Sequence, residues 1–84
     1  MEKRDFGYAL TELRCGEKLR RRGWNGSGIF IALQMPDENS FMTKPYIYID
    51  TTGLQTNNLD APKCRVPWLA SQTDMLAEDW EVIK

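Results

Sequence analysis

At 84 residues the chain has material for one hydrophobic core, and a thin one. A domain of this size buries roughly two-thirds of the surface its unfolded form exposes. Ordering costs about 1.5 kcal/mol per residue, so the balance against apolar burial comes out near zero. Such domains draw extra stability from a metal, disulfides or oligomerisation. The chain has no histidine, which removes imidazole as a ligand or general base. Its two cysteines, Cys15 and Cys64, lie far apart and form no CxxC motif, so a zinc site is not expected. They read either as one disulfide or as two unrelated buried thiols of a cytosolic protein, and the second reading is favoured. Oligomerisation is the reinforcement left.

Periodicity predicts an α+β domain over residues 1–84. It has an N-terminal helix packed on a mostly antiparallel sheet of about five strands, with a short helical turn before the last strand. Asp5 suits an N-cap, and Phe6, Ala9, Leu10 and Leu13 fall on one helical face. Gly16 stands where a glycine stops a helix. Lys18 to Arg22 fits an edge strand or an extended approach to one. Ile29 to Leu33 is an apolar, β-rich run and predicts a central strand. In Tyr46 to Asp50 both tyrosines share one face and both isoleucines the other. Cys64 to Val66, closed by Pro67, and Trp80 to Ile83 complete the strands. Ser71-Gln72-Thr73-Asp74 resembles a capping box. The stretches 35–44 and 51–62 read as loops.

Charge excludes some partners. Net charge is −1, without the excess of a DNA or RNA binder. Seven of the 11 basic residues lie in the first 22 positions, giving +3 there and −4 over the rest. That asymmetry suits self-association of unlike surfaces. No apolar run approaches the roughly 18 residues of a membrane span. The first residues lack a signal peptide's apolar stretch. These features predict a soluble, intracellular protein.

The catalytic inventory is thin. Ser71 near Asp74 has the look of a nucleophile with a partner, but no base is available to activate it, and the capping box is preferred. Asp74, Glu78, Asp79 and Glu81 read as a solvated acidic edge before a metal site. Binding chemistry is richer. Trp24 sits among Gly23, Asn25, Gly26 and Gly28, a setting poorly suited to filling a core. Trp68 follows Pro67 and precedes small residues. An exposed indole offers a face to a base, and such stacking is worth about 1–3 kcal/mol. Arg20, Arg21 and Arg22 can fork onto phosphates, and the glycines and the Ser71 cap offer backbone N–H groups to anions. Each tryptophan also reads as a half-buried packing residue, and the arginines as a solvated strand face. Gly7, in the first helical turn, is either simply tolerated or leaves room for close approach of a ligand.

Three segments carry a resemblance: Asp5 to Leu10, Gly16 to Gly26 (with Arg22-Gly23-Trp24-Asn25-Gly26), and Val66 to Val82, reading VPWLASQTDMLAEDWEV. Together they resemble the second class of Thoeris anti-defence proteins, a small phage and prophage family formerly catalogued as a domain of unknown function. Residues 34–62 carry no part of that pattern. The resemblance implies a sponge: a protein that binds glycocyclic ADP-ribose, made by a TIR-domain enzyme on infection, without cleaving it. It also implies homotetramers acting in the cytoplasm of the infected bacterial host. Some members hold cyclic dinucleotides at a separate site.

That reading assigns Phe6 and Trp68 to base stacking or pocket walls, and Trp24, Asn25 and Gly26 to a loop over the ligand. Arg22 would meet phosphate, and Gly7 would allow backbone approach. Ser71, Thr73 and Asp74 would hydrogen-bond ribose or the base edge, while Trp80 stays in the core. No catalytic residue, metal or cofactor is expected. The rivals are a metal-dependent nucleotide hydrolase using Asp74 or Glu78, and a structural protein-interaction module.

Overall fold

Asp5 opens helix α1 (Phe6–Arg14) by accepting a hydrogen bond from the Tyr8 N–H at 2.9 Å. This replaces one of the partners that the first turn lacks. Gly16 ends the helix in the left-handed region, at φ +86°, where a side chain would be strained. The computed structural model describes residues 4–24, 28–61 and 63–83. The strands are β1 (Lys18–Arg21), β2 (Phe30–Gln34), β3 (Tyr46–Asp50), β4 (Arg65–Pro67) and β5 (Trp80–Ile83). A single turn of helix, α2 (Gln72–Met75), precedes β5. The α+β expectation is met in each part.

The sheet order is β4-β3-β2-β1-β5, with every neighbour antiparallel. Strand β2 is central, as expected. Strand β1 is not an edge: β5 returns along its outer side over four residue pairs, from Lys18–Ile83 to Arg21–Trp80. The cause is Leu19, which is completely buried and lies level with Ile31 on one flank and Val82 on the other. An edge position would leave this residue half-covered.

Period-2 alternation assigns the two faces. Leu19, Ile31, Ile49, Trp80 and Val82 face α1, and their buried members join Ala9, Leu13 and Ala77 in one core. Arg20, Phe30, Ala32, Tyr46, Tyr48 and Glu81 occupy the opposite face, which no helix among the described residues covers.

The same register answers the charge asymmetry. Placing β5 beside β1 pairs the basic segment with the acidic one inside the chain. Arg20 Nε lies 2.8 Å from Glu81, and Arg21 reaches both Asp74 and Asp79. Self-association is not needed to explain it. The cysteines also differ from expectation. Both thiols are free, but both are exposed rather than buried. Cys15 follows the last turn of α1, and Cys64 precedes the edge strand β4, outside the core.

Gly28 closes the turn into β2 at φ +90°. A methyl group there would overlap the Gly53 carbonyl oxygen. The glycine therefore lets the chain entering β2 lie directly on the β3–β4 loop at Gly53.

Candidate functional site

Three tryptophans far apart in sequence meet at one end of the helix-covered face. Trp80, only 1% exposed, is the floor. Trp24 and Trp68 stand edge-on to it, with ring centroids 5.6 and 6.1 Å away, and 6.3 Å from each other. Phe6 completes the group at 5.7 Å from Trp80. Edge-to-face geometry at these distances is the favoured arrangement of aromatic quadrupoles. Trp24 is thus half-buried against the core, and its glycine neighbours do not hold it clear of the protein. The turn that carries it is short. The Trp24 N–H donates to the Arg21 carbonyl at 3.1 Å, which folds the indole back over β5. Phe6, Trp24 and Trp68 keep part of their surface open, so the tryptophans serve packing and presentation together.

The polar part of the site lies on α2. Ser71 is an N-cap in a complete capping box. Its hydroxyl accepts from the Asp74 N–H at 3.1 Å, and Asp74 Oδ2 accepts from the Ser71 N–H at 3.0 Å. Two of the N–H groups at this cap, those of Ser71 and Asp74, are therefore already used within the box. Ser71 and Thr73 hydroxyls lie 2.9 Å apart on the exposed side. Trp80 Nε1 donates to the Asp74 carbonyl at 3.1 Å, which seats α2 on the aromatic floor.

Asp74 and Asp79 both titrate below the ordinary carboxylate value. Burial pushes each up. It is outweighed at Asp74 by the Ser71 N–H, the Ser71 hydroxyl and Arg21, and at Asp79 by Arg21 and the Gly23 N–H. Arg21 is raised in turn, chiefly by its hydrogen bond to Asp79. Both carboxylates are ionised acceptors across the neutral range. Among the described residues, no group of three or more His, Cys, Asp or Glu side chains could hold a metal ion.

Seven of the expected residues have described positions relevant to this cluster or its rim. Phe6, Trp24 and Trp68 surround Trp80, and Ser71, Thr73 and Asp74 lie beside it. Gly7 is exposed in the first turn of α1, next to Phe6, and a methyl group there would make only ordinary contact with Asp5 Oδ1 at 3.4 Å. Arg22 is placed elsewhere. Its side chain is 77% exposed and approaches Glu81 at 3.8 Å, on the side of the sheet away from Trp80. Asn25 and Gly26 lie outside the described residues. Sequence reasoning named Arg21 among three arginines but chose Arg22, whereas Arg21 is the one that faces the cluster. The signal was available: strand alternation from the apolar Leu19 puts Arg21 on the helix side, and Arg20 with Arg22 on the other.

Two cavities lie apart from the tryptophans. One, of about 500 Å³, opens between α1 and the strands, lined by Leu10, Leu13, Leu33, Met35 and Ile47. The other, of about 250 Å³, lies on the uncovered face among Gln34, Tyr46, Tyr48, Arg65 and Pro67. Arg65 is held there by Asp50, which is 4% exposed, at 2.8 Å. Neither cavity is lined by an expected contact residue.

Comparison with known proteins places this architecture. Residues 4–83 match the model of the Thoeris anti-defense 2-like domain. The chain is also 33% identical, over 94 aligned positions covering 96% of both sequences, to Thoeris anti-defense 2 of Bacillus phage SP01. Among the described residues no helix is long and apolar enough to cross a membrane. Matched over residues 4–83 and 33% identical to a relative across 96% of both sequences, the chain belongs to the Thoeris anti-defense 2-like family.

Proposed function

We propose that the protein is a single-domain anti-defence sponge that binds a cyclic ADP-ribose-type signal and holds it without cleaving it. The observation that carries this reading is the pairing of half-open aromatic rings, Trp24, Trp68 and Phe6, with the exposed Ser71 and Thr73 hydroxyls on the adjoining turn. A nucleotide needs both: a ring to stack on, and polar groups for ribose and base edge. The chain has no histidine to act as base, and Asp74 is engaged by Ser71 and Arg21. Such a surface suits retention of a ligand more than its hydrolysis.

Within one chain Phe6, Trp24 and Trp68 are only partly buried. Leu69 and Leu76 are 91% and 79% exposed. Both facts support a homo-oligomer, a tetramer in the family's manner, in which copies cover these residues and share the walls of the site. The protein would act in the cytoplasm of the infected host, and hold cyclic dinucleotides, where it binds them, at a separate site.

A thermal-shift screen against cyclic ADP-ribose isomers and cyclic dinucleotides tests the reading. A ligand at a hundred times its Kd stabilises the folded state by about 2.7 kcal/mol. A rise in Tm with a cyclic ADP-ribose isomer is the expected result. No shift with any isomer contradicts it.

A further inference from the structure

Arg21 is not itself one of the expected ligand contacts, yet it binds one of them, Asp74, and stands between the two segments that carry them. Its planar guanidinium uses two edges. Nε donates to Asp79 Oδ1 at 2.9 Å, and Nη1 donates to Asp74 Oδ1 at 3.0 Å. Each carboxylate then spends its second oxygen on a different segment. Asp79 Oδ2 accepts from the Gly23 N–H at 3.0 Å, one residue before Trp24. Asp74 Oδ2 accepts from the Ser71 N–H at 3.0 Å and from the Ser71 hydroxyl at 2.8 Å. The chain of bonds therefore runs Gly23–Asp79–Arg21–Asp74–Ser71, with the arginine at its centre.

The fork is well shielded, with the Arg21 side chain 22% exposed and those of Asp74 and Asp79 14% and 30%. It grows from β1, a strand paired on both sides. Both partners are short side chains, so little freedom remains once the bonds form. We propose that Arg21 is the positioning residue of the nucleotide site, fixing the Trp24 turn and the Ser71–Thr73 turn at one mutual spacing; this rests on the ligand-binding reading above. A site held in register before the ligand arrives loses less entropy on binding. Lysine cannot replace the arginine, because one ammonium does not present two coplanar N–H donors fixed towards two carboxylates.

The test uses Arg21→Lys in the full chain labelled with 5-fluorotryptophan, with the Trp24 fluorine resonance assigned from Trp24→Phe. The expected result is a folded protein whose Trp24 resonance shifts or broadens without ligand. Its affinity for the cyclic ADP-ribose isomer that stabilises the wild type should be weaker by about tenfold or more. Should Arg21→Lys not fold, Asp79→Asn is the second variant. It keeps the side chain's shape, weakens the arm from Arg21 through Asp79 to Gly23 while leaving the Asp74 arm in place, and should change the same resonance. A merely structural Arg21 would lower Tm but leave the Trp24 resonance and the affinity of the folded fraction at wild-type values, and that outcome overturns the proposal. If the wild type binds none of these nucleotides, the ligand reading fails, while the fluorine spectra still decide the role of Arg21.

Discussion

The indole N–H of Trp80 donates to the backbone carbonyl of Asp74 at 3.1 Å, so the most deeply buried ring of the core also anchors the turn that carries Ser71 and Thr73. Trp80→Phe should remove that donor, leave the Asp74 carbonyl only its local backbone donors such as the Ala77 N–H at 3.4 Å, and leave a void beneath Trp24 and Trp68. The two effects together predict a loss of about 2–4 kcal/mol. Urea unfolding followed by far-UV circular dichroism measures it. A loss under about 1 kcal/mol would show that Trp80 is not the keystone described here.

Trp68 and its ring neighbours separate stacking from packing. Trp68→Ala should abolish nucleotide binding and also lower stability, because the ring lies 6.1 Å from Trp80 and 6.3 Å from Trp24. Trp68→Phe should keep most of the stability and part of the binding, since base stacking is worth about 1–3 kcal/mol for an aromatic face. Calorimetry on both variants reads the difference. Equal affinity in wild type and Trp68→Ala removes Trp68 from the site.

Two glycines should respond in opposite directions. Gly28→Ala forces a side chain into a left-handed conformation and onto the Gly53 carbonyl, and should destabilise by about 2 kcal/mol or more. Gly7→Ala meets only ordinary contact, and alanine's better helix propensity should stabilise by up to about 1 kcal/mol. If Gly7 leaves space for ligand, this more stable variant should bind more weakly. Thermal unfolding and calorimetry on the same preparations give both quantities. An unchanged affinity would return Gly7 to an ordinary helix position.

Stability should be flat through neutrality and fall in acid. Asp50 is held below its ordinary value chiefly by the Thr52 hydroxyl, with Arg65 assisting, and Asp74 and Asp79 are held down against the opposing effect of burial. A carboxylate whose folded value is depressed contributes stability that is fully present above its unfolded value. That stability is lost as pH falls through the folded value. The unfolded value is near 3.8, so Tm should hold from pH 7 to about 5 and drop below about 4. No histidine is present to add a transition in between. A marked fall of Tm between pH 7 and 5 would contradict this assignment.

Local signals made much of the fold legible. Asp5 and Gly16 bracket α1, the 46–50 alternation gives β3, and Ser71 with Asp74 gives α2. Each of these depends on residues a few positions apart. What sequence left open depends on contacts across the sheet. The interior position of β1 follows from β5 returning beside it, some sixty residues later in the chain, as in the Arg20–Glu81 pair with its separation of 61. The same return decides which arginine faces the site. Arg22, in the flexible-looking run before the glycines, drew attention by its neighbours, whereas Arg21 earns its place only once Asp74 and Asp79 are brought to it. Trp24 likewise gave no local sign of packing, because its partners, Trp68 and Trp80, come from distant strands and turns.

The central claim is that the protein holds a cyclic nucleotide signal intact. The direct measurement is to incubate the protein with glycocyclic ADP-ribose, separate it from free nucleotide, denature it, and identify what it releases by mass spectrometry. Recovery of the unaltered cyclic nucleotide, in constant proportion to protein over time and with added magnesium or manganese, is the predicted result. Linear or hydrolysed product accumulating with time, or no nucleotide carried through the separation, would contradict the account.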